Sequence, residues 1–191
     1  MNKSRAFTAL AVTALFLALI PNFSCLVKTM KSEELESAIE ITDVETKWVE
    51  KYYQPWPPKL ILVPAISFRV KNISDQPINY VNFNAIFRFK DDYENLGDSF
   101  MAAIRRDPVE PGKKSDIILL KCNYGMEGKS VHDFKTNPGW RSAVVKLFAR
   151  SKGSPYVEFG EWDVSRTIDF KEPEEVGEKP PVKKKDIVPD T

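Results

Sequence analysis

The chain has 191 residues, of which 28 are basic and 27 acidic, and 42% are hydrophobic. That length suggests one domain with appendages, and the hydrophobic share supplies a packed core, which excludes disorder throughout. Setting aside Lys3 and Arg5, which lie in the leader described next, leaves 26 basic against 27 acidic residues; a nucleic-acid binder would need a basic stripe to neutralise phosphates.

The chain opens on the short basic segment Met1–Arg5, followed by an apolar run from Ala6 to Ile20 interrupted only by Thr8 and Thr13. Those fifteen residues, rising about 1.5 Å each, span roughly 22 Å as a helix, short of the ~30 Å hydrocarbon core. This is the length of a secretory leader rather than of a transmembrane helix. Pro21 breaks the helix and the small Ser24 precedes Cys25. The run Leu19-Ile20-Pro21-Asn22-Phe23-Ser24-Cys25 resembles a bacterial lipoprotein lipobox, with Asn22 where an aliphatic residue is usual. The resemblance implies a signal peptide over 1–24 and a diacylglyceryl group on the Cys25 sulfur, often with a further acyl chain such as palmitate on its amine. Several chains, each contributing ~0.8 kcal/mol per buried CH₂, hold a protein stably to a membrane. The location implied is the cell envelope, on the periplasmic or surface side; Leu26 rather than Asp follows Cys25, so retention at an inner membrane is not specified. Ordinary signal cleavage, leaving Cys25 a free thiol, and an uncleaved anchor are the alternatives.

Residues 25–37 read as a polar lipidated tether with one helical turn at 32–36. From 38 to 171 the apolar pattern has period two, the strand period. In 60–71, Leu60, Leu62, Ile66, Phe68 and Val70 share a face opposite Ser67, Arg69 and Lys71. In 78–90, Val81, Phe83, Ala85, Phe87 and Phe89 oppose Asn82, Asn84, Arg88 and Lys90. In 156–170, Trp162, Val164, Ile168 and Phe170 oppose Asp163, Ser165, Thr167 and Asp169. A slip of one residue would turn each apolar face to water, so register is well specified. Further strands are expected over 38–53, 99–106, 115–123 and 143–151, separated by turn chemistry at 72–77, 91–97, 108–112 and 151–155. A short helix fits 130–134 or 138–142. The sum is an all-β fold, an antiparallel Ig-like β-sandwich of about seven strands. Residues 172–191 hold four prolines, many charges and no aromatic residue, and read as a disordered tail.

Phe68-Arg69-Val70-Lys71-Asn72, then Pro77-Ile78, then the alternation Phe83 to Asp91 and the turn Val109-Glu110-Pro111-Gly112 resemble the small Ig-like domain of FxLYD-type bacterial lipoproteins, over about half the chain. The namesake Leu-Tyr-Asp is Phe89-Lys90-Asp91 here. The resemblance implies a non-catalytic envelope module with no active site to carry over.

Candidate chemistry is sparse. His132 is the one histidine, with Ser130, Asp133 and Ser142 near it in sequence as a triad would need, but no serine sits in a nucleophile-elbow pattern. A zinc site lacks ligands, and no other metal or cofactor is expected, although the acidic turn Asp91, Asp92, Glu94, Asn95 offers oxygen atoms of the kind Ca²⁺ takes. Gly125-Met-Glu-Gly128-Lys129-Ser130 has two residues between its glycines where a phosphate loop needs four, and reads as a turn. Cys122, in an apolar run, reads as a small buried core residue.

The most unusual segment is Lys51-Tyr52-Tyr53-Gln54-Pro55-Trp56-Pro57-Pro58-Lys59. Aromatic side chains on a proline-stiffened loop present apolar area at low entropic cost. A second aromatic loop is Asn137-Pro-Gly-Trp140-Arg141. The expectation is a cell-envelope lipoprotein that binds or scaffolds without catalysis, partnered with the membrane through Cys25 and with an envelope protein or polymer through Tyr52, Tyr53, Trp56 and Trp140. The alternative class is an enzyme, or an enzyme accessory, acting on envelope polymers. A purely structural stalk, with both tryptophans buried, is a third.

Overall fold

The computed structural model describes residues 30–173. The leader, Cys25, the first part of the tether and 174–191 of the charged tail lie outside the described residues. In chain order the elements are α1 (Ser32–Ala38), β1 (Ile39–Gln54), β2 (Lys59–Asn72), β3 (Val81–Phe89), β4 (Asn95–Ile104), β5 (Ile118–Lys121), β6 (Met126–Gly128), α2 (Val131–Thr136), β7 (Ala143–Ser151), β8 (Val157–Val164) and β9 (Ile168–Asp169).

Alternating burial makes these strands. Along β3, Val81, Phe83, Ala85 and Phe87 are wholly buried, while the residues between them are half-buried. β2 alternates likewise toward both ends, with Leu60, Leu62, Ile66, Phe68 and Val70 wholly buried, while 62–66 are buried without a break. Each such side chain contributes about 1.5–3 kcal/mol when fully buried. The strands form two sheets: β5-β2-β1-β9, with β6 also paired to β2, and β4-β3-β7-β8. β1, β2 and β5 correspond to immunoglobulin strands A, B and E, and β3, β4, β7 and β8 to C, C′, F and G. All pairings are antiparallel except β1 with β9. The inner faces meet in one core, where the ring of Phe68 lies 5.1 Å from that of Phe83 at 65°.

The seven expected strands are β1, β2, β3, β4, β5, β7 and β8; β6 and β9 are additional. The strand expected over 156–170 is broken. β8 ends at Val164, the Ser165 N–H donates to Thr46 Oγ1 at 2.9 Å, and the chain crosses to the other sheet. There the Trp48 N–H donates to Thr167 O at 2.8 Å, and β9 runs parallel to β1. Of the segment read as a tether, 30–37 belongs to the folded domain. Leu35 of α1 is wholly buried and Ala38 nearly so, and the Met30 N–H donates to Ser151 Oγ at 3.2 Å. The short helix falls at α2, where Ser130 Oγ accepts from the Asp133 N–H. No helix among the described residues is long and apolar enough to cross a membrane.

The sandwich has two distinct ends. The near end gathers α1, the connection 73–80 and the turn 152–156: Ile73 N–H donates to Ala38 O at 2.9 Å, Lys152 N–H to Tyr80 O at 3.1 Å, and Ser32 O–H to Pro155 O at 3.2 Å. The far end carries the β1–β2 turn, β6 (paired to 60–62 of β2), α2 and the 90–94 turn, where Lys90 N–H donates to Ser142 O at 2.9 Å. β1 joins the ends; its 16 residues extend roughly 50 Å at about 3.3 Å per residue.

Candidate functional site: the far end of the sandwich

The β1–β2 connection is a four-residue turn, Pro55 to Pro58, held by one side chain. Gln54 Nε2 donates to Trp56 O and to Pro57 O, each at 3.1 Å, while the Tyr52 hydroxyl donates to Gln54 Oε1. The Gln54 amide is thereby committed at both ends. What the turn presents is the Trp56 side chain, 78% exposed, with Tyr52 beside it at 43%. Tyr53 faces the other way: it is half-buried, its ring tilted on Phe170 with centroids 5.2 Å apart. The aromatic run thus divides into a displayed pair and a brace.

Trp140 is not a surface anchor. It is 5% exposed and meets Trp48 of β1 edge-on, with ring centroids 6.0 Å apart. The turn Asn137 to Trp140 folds its indole inward: Asn137 Oδ1 accepts from Gly139 N–H at 2.7 Å and Asn137 O from Trp140 N–H at 3.0 Å. The two aromatic loops share one end of the sandwich but play opposite parts.

Cations surround that loop. Arg166, in the β8–β9 crossing, lays its guanidinium over the Trp140 ring at 4.5 Å and donates to Trp140 O at 2.7 Å. Arg141 lies over the Phe89 ring at 4.5 Å and faces Asp91 and Asp92 at 3.6 and 3.3 Å. The backbone N–H of Glu94, and then Arg141, hold the Asp92 carboxyl below its ordinary value. Arg141, Arg166, Trp140 and Asp91, with Lys135 of α2, line a cavity of about 470 Å³. Residues 91 and 166 are far in the chain from 135 and 141, and no spacing announces the four together.

The remaining sequence candidates have structural roles. His132 is exposed in the first turn of α2, and Thr136 O–H donates to its backbone carbonyl at 3.2 Å. Asp133 accepts from the Lys129 N–H at 2.8 Å, which holds its carboxyl below the ordinary value; Ser130 caps the helix. No three metal-ligating side chains converge among the described residues. Gly125 lies so close to β2 that a Cβ would fall 2.0 Å from Leu62 O, so the glycine serves the approach of β6. Cys122 is 2% exposed, and burial pushes its thiol pKa up.

No family model matches the sequence, nor does any curated protein. Among solved structures, a protein designated ApaA from Bordetella pertussis is similar at 11% identity and a TM-score of 0.38, over 67% of this chain and 93% of that one. The ligand-binding region of serine-glutamate repeat protein A from Enterococcus faecium is similar at 11% identity and a TM-score of 0.27, over 68% of this chain and 99% of that one.

Proposed function

We propose that this protein is a cell-envelope lipoprotein, anchored through Cys25, that acts as a non-catalytic binding or scaffolding module and makes its contacts through the β1–β2 turn. One observation supports this above the others: Trp56 stands 78% exposed on a turn already ordered by three hydrogen bonds from and to Gln54. A large apolar side chain left in water contributes nothing to the fold it stands on. Held on a rigid turn, it loses little entropy when a partner covers it. Tyr52 extends the contact, and Tyr53 supports it from behind through Phe170. Trp140, buried in the core, is not a contact residue.

Met30 and the turn lie at opposite ends of the sandwich. Cys25 precedes Met30 by five residues, and Met30 binds the near end, so the lipid would leave the aromatic turn roughly 50 Å from the anchoring bilayer, the length of β1 at about 3.3 Å per residue. The partner this arrangement suits is an envelope protein or polymer lying away from that membrane. The test is capture from detergent-solubilised envelope with the full chain and with Trp56→Ala. A partner retained by the first and lost by the second is expected; identical capture by both would remove Trp56 from the reading. Mass spectrometry of the mature N-terminus tests the anchor, with acylated Cys25 expected and an intact, unacylated leader the contrary outcome.

A further inference from the structure

We propose that the cavity beside the α2–β7 connection binds an oxyanion, a phosphate or carboxylate group carried on a sugar-sized body. Its volume, about 470 Å³, lies within the range of small-molecule sites, roughly 300–1,000 Å³. Three cations line it, Lys135, Arg141 and Arg166, against the carboxylate of Asp91, and Asp92 adds a second carboxylate on Arg141. Lys135 and Arg166 make no ion pair with any carboxylate among the described residues.

Both guanidinium groups are oriented before any ligand arrives. Arg166 is fixed by the Trp140 ring at 4.5 Å and by one bond to Trp140 O, which leaves its other N–H groups uncommitted. Arg141 is fixed by the Phe89 ring at 4.5 Å. Its Nη2 donates to Asp92 Oδ2 at 3.3 Å and its Nη1 faces Asp91 at 3.6 Å, which leaves the rest of its five N–H donors uncommitted. A planar fork that is already stacked and aimed loses little freedom on binding, and it matches carboxylate and phosphate oxygens two at a time. Thr136, Asn137 and Ser142 add polar lining for hydroxyl groups. The site is independent of the Trp56 reading, although it lies at the same end of the sandwich.

The test is NMR titration of the full chain in non-ionic detergent, observing arginine Nε–H and tryptophan indole signals, with glucose 1-phosphate, glucuronate and glucose as probes. The expected result is saturable shifts of the Arg141, Arg166 and Trp140 signals with either charged sugar, none with glucose, and weakening as salt is added. Arg166→Ala should weaken binding about tenfold, the loss of one charged hydrogen bond, and Asp91→Asn should tighten it by relieving Arg141. Well-dispersed spectra of both variants report an intact fold. The proposal is overturned if both charged sugars leave these signals unmoved at millimolar concentration, if glucose moves them equally, or if Lys135→Ala/Arg166→Ala binds as the parent does.

Discussion

The indoles of Trp48 and Trp140 cross edge to face, 6.0 Å apart at 79°, and this contact ties the connection between α2 and β7 to the middle of β1. Trp48 is wholly buried and Trp140 nearly so. Large aromatic residues at such positions cost about 3–5 kcal/mol on truncation to alanine. Trp140→Ala is expected to lose that much in urea denaturation. Trp140→Phe should lose clearly less, because the Trp140 Nε1 has no hydrogen-bond partner and only volume is surrendered.

Asn72 is a wholly buried polar side chain. Its Nδ2 donates to Gln76 O at 2.8 Å and Val109 O at 2.7 Å, and its Oδ1 accepts from the Ser74 N–H at 2.9 Å and the Ser74 O–H at 2.8 Å. Asn72→Ala strands these buried groups and should cost about 2–4 kcal/mol in the same denaturation assay. Asn72→Asp should be worse at neutral pH than at pH 4, since a carboxylate would face two carbonyl oxygens and its protonated form would be favoured in the folded state.

Trp56→Ala should leave stability within about 0.5 kcal/mol of the parent, as for an exposed side chain with no packing role. The same change should abolish capture of the envelope partner. A loss of stability comparable to that of Trp140→Ala would mean that the ring packs against the domain after all.

Cys122 should react slowly with a thiol reagent in the native protein and rapidly in denaturant. The sulfur is buried, and burial disfavours the thiolate that would attack. Native labelling as fast as that of the unfolded chain, followed at pH 8 by a chromogenic disulfide, would contradict the buried position.

Acid should weaken the fold through four surface carboxyls. Lys114 lowers the pKa of Asp43, Lys47 that of Asp169, the Glu94 N–H that of Asp92 and the Lys129 N–H that of Asp133, each from an ordinary value of 3.8. Below that value the unfolded chain binds protons that the folded chain does not, so unfolding is favoured as the pH falls. Their contribution is complete above the ordinary value and disappears as the pH drops through the folded-state values. Asp169→Asn should flatten this part of the stability–pH curve measured by denaturant titration between about pH 2 and 5; an unchanged curve would exclude the Lys47–Asp169 pair from it.

Local patterning was enough for most strands and for which of their faces turn inward. Alternation is a local property: Val81, Phe83, Ala85 and Phe87 can reach a common core only if the segment is extended, whatever it packs against. The Ser130 cap of α2 is local in the same way. Whether an aromatic side chain ends inside or outside was not local. Trp56 and Trp140 both sit among prolines, glycine and basic residues, and only the position of Trp48 across the sandwich draws one of them in. The break at 165–167 was equally hidden, because the pattern of 156–170 stays in phase while the chain changes sheets to reach Thr46. The cationic cavity depended wholly on tertiary structure, since 91, 135, 141 and 166 meet only where three connections and α2 arrive at one end of two packed sheets.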